Sequence, residues 1–311
     1  MTAPAMQWKR TCEVVVGRGA TGQGLAINGL RIDFTIIKTA GRVPNTALVK
    51  IYNLSPDHEN QIRKEFDEVL VNAGYEGAAV LMFRGTIRHV FRYREGNDRI
   101  TEIDAADGEK DFRNAIVNFT LAAGSSTQQL LDQVVGKMVS KKGFVALKDK
   151  RRVRGRVVSG MARDVLDQIA DDSDAAWSIQ DGVLEIVPVD STLPTEAIVL
   201  ASDTGLLGAP EINDKGIKAT CLLNPRIRVG GKVWLDNNAV KARIKKELET
   251  KPGARRVKVK KHRGELARLD PDGVYKVVKL EHEGETHGNE WSTTVYCVGL
   301  DKAIPAGKAS A

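Results

Sequence analysis

Aromatic side chains are scarce in this chain of 311 residues, at 5%, and only three cysteines are present, Cys12, Cys221 and Cys297. They are odd in number and far apart, which argues against a disulfide framework and a zinc ribbon and leaves buried thiols. No apolar run approaches the roughly 20 residues that cross a bilayer as a helix, so a helical membrane protein is excluded. Trp8, Lys9 and Arg10 stand where a signal peptide needs its apolar stretch, which points to a chain made and folded in the cytoplasm. Neither a P-loop nor a G-x-S-x-G elbow is present. What is there is a balanced composition, 42% hydrophobic and 28% charged, sufficient for a substantial core. At about 150 residues per domain the length suggests two domains, or three small ones.

Charge is unevenly spread. Between Lys241 and Arg268 twelve Lys or Arg stand against three Glu, a surplus of nine, while the whole chain carries only +7. The basic character therefore belongs to one segment, and the remaining chain sums to −2. A smaller cluster, Lys148 to Arg156, holds six basic residues and one Asp. Any polyanionic partner has to be argued from these two stretches.

The first ~120 residues read as strands, because apolar residues alternate or run in short blocks bounded by Gly and Asn. The expected strands are Cys12 to Arg18, Leu30 to Lys38, Asn45 to Tyr52, Ala78 to Arg94 and Ile100 to Ala106, the last two joined by a turn at Glu95-Gly96-Asn97. One helix interrupts them: Ser55 suits an N-cap, Pro56 the first helical position, and Ile62 and Phe66 then face inward. The middle changes period. After Ser126 a helical stripe of Leu130, Leu131, Val134, Val135 and Met138 appears, and after Gly160 a second of Met161, Val165, Leu166 and Ile169. Leu130 to Val134 and Val165 to Ile169 resemble each other, yet two copies flanked by strands do not make a solenoid. Trp177 to Pro188 reads as a hairpin turning at Gln180-Asp181-Gly182. Strands return at Lys218 to Leu223, Lys232 to Asp236, Gly273 to His282 and Glu290 to Gly299, with the basic stretch between the second and third as an insertion of low apolar content. It reads as partly disordered, with a short helix expected near Val240 to Leu248. The tail after Asp301 reads as frayed.

Three motifs invite catalytic readings. Gly17-Arg18-Gly19-Ala20-Thr21-Gly22 is literally GxGxxG, but a strand follows where dinucleotide chemistry needs a helix N-terminus, and no acid stands about 20 residues on. A hairpin loop is the better reading. Asp203-Thr204-Gly205 matches the aspartic-protease triplet but lacks the downstream hydrophobic-Gly element, which favours a solvent-facing loop. His282 and His287 are five apart, and on a helix they would diverge by about 140°, so a turn between strands is preferred to a metal site. The basic stretch, through Lys241, Arg243, Lys245, Lys246, Arg255, Arg256, Lys258, Lys260, Lys261 and Arg263, could neutralise phosphates, but it has no aromatic platform for single strands. An acidic protein face suits these ten residues equally well. No catalytic, metal or cofactor residues are assigned.

Four blocks carry a family resemblance: Pro44 to Ser55 (PNTALVKIYNLS), Trp177 to Pro188 (WSIQDGVLEIVP), Leu206 to Gly231 and Gly273 to Cys297. In this order they resemble the baseplate hub proteins of contractile phage tails. The resemblance implies an α+β, mainly β fold with two tail-tube-like antiparallel β-barrel domains, residues 1–120 and 196–303, around a mixed α/β middle, 121–195. The basic insertion, 237–268, departs from the pattern, and 304–311 is a flexible tail. It further implies a non-enzymatic virion part assembled in the host cytoplasm: a homotrimer joining the sixfold tail tube to the threefold central spike, in contact with other baseplate proteins, with DNA only as passing cargo. The competing expectations are a nucleic-acid-binding protein acting through residues 241–268, and a tail-associated peptidase or hydrolase. Alternation in the block Ala47, Val49, Ile51 would fill a barrel core, with Lys50 and Tyr52 on the other face.

Overall fold

The computed structural model describes residues 9–19, 22–76, 79–213, 216–236 and 273–300. The basic stretch, the short helix expected within it and the tail after Asp301 lie outside these residues. The first part contains β1 (Arg10–Gly17), β2 (Gly24–Ile27), β3 (Ile32–Thr39), β4 (Thr46–Tyr52), helix α1 (Pro56–Glu65), β5 (Glu68–Tyr75), β6 (Val80–Glu95) and β7 (Asp98–Ala106). Helix α1 starts where expected, with the Ser55 hydroxyl accepting from the His58 N–H at 3.3 Å and Pro56 in the first turn. Ile62 is buried, while Phe66 lies just past the helix and packs half-buried on the core.

The middle part contains α2 (Glu109–Asn114), β8 (Ile116–Leu121), α3 (Thr127–Val135), β9 (Lys141–Val145), β10 (Arg156–Met161), α4 (Ala162–Asp172), β11 (Ala175–Gln180) and β12 (Val183–Pro188). Ser126 and Gln129 form a reciprocal capping box at α3. Met138 falls beyond that helix, and Met161 is the N-cap of α4 rather than part of its stripe. The β11–β12 turn is made by Asp181 and Gly182 alone, both at positive φ (56° and 80°), which is the two-residue geometry that Asp-Gly favours. The last part contains β13 (Ile198–Leu200), β14 (Leu206–Asn213), β15 (Gly216–Leu222), β16 (Lys232–Leu235), β17 (Val274–Glu285) and β18 (Trp291–Gly299). Strands β2, β5, β8, β9, β10, β13 and β14, and helix α2, were not expected.

Three hydrophobic clusters fill the three parts, centred on Val49, Phe83 and Ile103, on Leu131, Leu166 and Trp177, and on Tyr275, Leu280 and Val295. The fold is mainly β, but among the described residues the strands do not close into two barrels. Thirteen of them form one open sheet in the order β14-β15-β18-β17-β3-β4-β7-β6-β5-β1-β2, with β16 and β13 branching from β17. The reason lies in β17: its start pairs with β16 (Lys276 with Lys232), while its end pairs with β3 (Glu285 with Asp33). One long strand thus carries the ladder from the first part into the last.

Candidate functional site: an assembly interface

Alternation along β3 buries Ile32, Phe34 and Ile36 and turns Asp33, Thr35 and Ile37 to the opposite face. Register then sets the neighbours on that outer face. One row runs Phe91, Glu102, Lys50, Asp33, Glu285; the next runs His89, Asp104, Leu48, Thr35, Glu283. Glu281 follows beside Ile37. Six carboxylates therefore share one face of β3, β4, β7 and β17. Some are matched: Lys50 lies 3.8 Å from Glu102, Arg88 2.7 Å from Asp104 and Arg31 3.3 Å from Asp33. Among the described residues no ion pair closes on Glu281, Glu283 or Glu285. Partial burial, together with Glu281 and Glu290, raises the Glu283 carboxyl above its ordinary range. A shallow groove of about 250 Å³ lies on this face, with Leu48 exposed in it between Asp33, Lys50, Glu283 and Glu290. No described helix packs substantially on β3, β4, β17 or β18.

At each margin of this face a strand has a described strand partner on one side. Strand β5 stops pairing with β6 at Thr86, so the rest of β6 has β7 on one side and no described strand on the other. That free half presents Phe91 and Tyr93, 51% and 38% exposed. At the far margin β15 is the described strand that pairs with β14, which presents Leu207. Unpaired strand edges of this kind are templates for another strand.

A buried polar seam holds the three parts together beneath this face. The Asp107 carboxylate accepts the Asp181 N–H in a short hydrogen bond and the Gly182 N–H at 3.0 Å. Lys38 Nζ donates to both Asp181 oxygens at 2.8 and 2.9 Å. Asn45 Nδ2 donates to the Ile179 carbonyl at 2.7 Å. On the other side Gln180 Nε2 donates to Glu185 (2.7 Å) and to the Val229 carbonyl (3.1 Å), and Arg228 donates to Glu185 at 2.9 Å. The middle hairpin is therefore pinned to both neighbours. Burial, with Asp181 alongside, pushes Asp107 up to about 7 against the pull of Lys38 and the two N–H donors. The centre of this seam is closed to solvent: Asp107 and Gln180 are each 1% exposed.

The other motifs resolve locally. Gly17 and Gly24 pair across the β1–β2 hairpin, so the GxGxxG run is its loop. Asp203 sits exposed in a short 3-10 turn, Ser202–Thr204, where Thr204 Oγ1 donates to the Val199 carbonyl. His282 is buried on β17, its Nδ1 2.8 Å from Thr293 Oγ1, and burial pushes it down to about 3. His287 is exposed beyond the strand end. Among the described residues no group of three or more His, Cys, Asp or Glu could hold a metal. The ten basic residues singled out from Lys241 to Arg263 lie outside the described residues. In the smaller cluster, Lys148 pairs with Asp174 (2.7 Å), Lys150 donates to the Asp172 carbonyl (2.7 Å) and Arg152 pairs with Asp172 (3.2 Å), all around the end of α4. The acidic face escaped the sequence reading, although Glu281, Glu283 and Glu285 alternate in plain view.

The chain is similar to known proteins in sequence and in fold. Residues 13–240 match the family model described as baseplate hub gp41. No curated protein sequence matches the chain. Among solved structures, a 43 kDa tail protein of prophage MuSo2 from Shewanella oneidensis is similar at a TM-score of 0.60 and 8% identity, over 95% of this chain and 100% of that one. A tail protein from Neisseria meningitidis MC58 is similar at 0.59 and 9%, over 93% and 96%. The E. coli c3393 protein, a component of the type VI secretion system, is similar at 0.54 and 6%, over 98% and 78%. At these identities the structures share the fold.

Proposed function

The chain belongs to the baseplate hub gp41 family and is thus a component of a phage tail baseplate; on that footing we propose that three copies close into a ring joining a sixfold tail tube to a threefold central spike and lining the passage for DNA. The observation that carries this reading is the uncovered sheet face, at whose margins β14 and the far half of β6 each have a described strand on one side. A copy that adds its β14 margin to the β6 margin of the next removes both exposed edges, and a rotation that closes makes a ring. Residues 1–120 and 196–303 serve as the two tube-like halves of each copy, so three copies present six to the tube, with 121–195 at the periphery.

The carboxylates suit the inner wall. A conduit that bound phosphate would stall its cargo, whereas Glu281, Glu283 and Glu285 repel it. By the same reasoning the basic insertion, 237–268, points away from the passage toward an acidic protein neighbour. The work is mechanical coupling rather than bond making, with a second copy, the tube protein, the spike and other baseplate proteins as partners. Light scattering at micromolar concentration is expected to give the mass of three copies; a monomer there would overturn the ring.

A further inference from the structure

The two-stranded ribbon of β8 and β10 has a role that the ring does not absorb. Its inner face is committed: Val117, Leu121 and Val158 are buried against the helical core of the middle part. Its outer face carries Ile116, Asn118, Thr120, Val157 and Ser159, with no carboxylate. Ile116 is 65% and Val157 68% exposed, and Val153, in the loop leading into β10, is 89% exposed. These exceed the exposure of Phe91 or Leu207 at the ring margins. Neither β8 nor β10 pairs with any other described strand, so no described strand lies along either edge of the ribbon. A pair of strands left this way is marginal alone and ready to accept a third.

The charge around it has one sign to spare. Of the six basic residues from Lys148 to Arg156, three bind the end of α4 and Arg156 donates to Gln168. The guanidinium groups of Arg151 and Arg154 meet no described carboxylate, and both residues are exposed beside Val153. Exposed apolar side chains on an unpaired strand edge, rimmed by unmatched cations, fit an extended chain that alternates apolar and acidic residues. Duplex DNA would use the cations but leave Ile116 and Val157 in water. We propose that this ribbon is a docking site for an extended acidic segment of another tail protein, taken up as a third strand on an open edge.

A fluorescent peptide alternating Glu and Val, its counterpart alternating Lys and Val, and a duplex DNA serve as probes on the full-length protein. The expected result is saturable binding of the Glu–Val peptide, weakened by salt, with slowed amide exchange at Ile116–Leu121 or Arg156–Met161. Affinity should fall by at least about tenfold in Val157→Asp and in the double variant Arg151→Glu, Arg154→Glu. Both variants lie on exposed positions, and unchanged thermal melting shows that they fold. Absence of binding, equal binding of the Lys–Val peptide, or affinity unchanged in both variants would overturn the proposal. So would stronger protection of the same amides by DNA, or self-association abolished by Val157→Asp, which would make a second copy the occupant.

Discussion

Asp107 shows how one buried carboxylate ties chemistry to architecture. Its raised pKa, about 7, means that the folded state holds the proton more tightly than the unfolded chain, where an Asp titrates near 4. Stability from this group is therefore present below the unfolded value and lost as pH rises through the folded one. Asp107→Asn is expected to flatten the loss of stability between about pH 5 and pH 8 relative to wild type, read from urea midpoints at both pH values. An unchanged slope would remove Asp107 from the account. Gly284 carries a different constraint. A β-carbon there would collide with the Phe34 ring, which meets Trp291 edge-on at 5.6 Å. Gly284→Ala should cost about 1–3 kcal/mol, seen as a lower melting temperature, because this contact joins β17 to β3 where the first and last parts meet.

Among the elements, the free half of β6 is the one whose fate depends on another copy. Replacing Phe91 and Tyr93 by Glu places acids on an exposed margin, at the loss of the Tyr93 hydrogen bond to Glu102 and the Phe91 contact with His89. The outcome expected is an intact circular dichroism spectrum with the ring mass lost. A variant that retains the full mass would show that copies join elsewhere. Elements with local signals were legible beforehand: the Ser55-Pro56 start of α1, the helical stripe after Ser126 and the Asp181-Gly182 hairpin each depend on residues within a few positions of one another. The missed strands lack such signals. Strand β13 has three residues and β2 four, and β14 is interrupted by Gly208 and Pro210 and shifts register after Leu207. Strands this short or irregular exist because a neighbour supplies their hydrogen bonds. Strands β5 and β8 are exceptions, since the alternation of Val69, Val71 and Ala73 and of Val117, Phe119 and Leu121 was open to reading.

At the scale of the molecule the basic insertion is an addition between β16 and β17, which pair directly through Val233 and Tyr275. Deleting residues 240–261 is therefore expected to leave the sheet folded, with an unchanged melting transition, while weakening one partner contact in a reconstituted baseplate; loss of all soluble protein would contradict this. The sequence by itself determined the mainly β composition, the helix starts, the tight hairpin and the order of family blocks, because periodicity, capping and turn chemistry act over a few residues. Only the tertiary structure decided that the strands form one open sheet instead of two closed barrels, that acids more than 200 residues apart, such as Asp33 and Glu283, share a groove, and that Asp107 meets Asp181 and, through it, Lys38. Those facts follow from long-range strand pairing. Its register is set by how whole faces bury against each other, and no local window of residues carries that information.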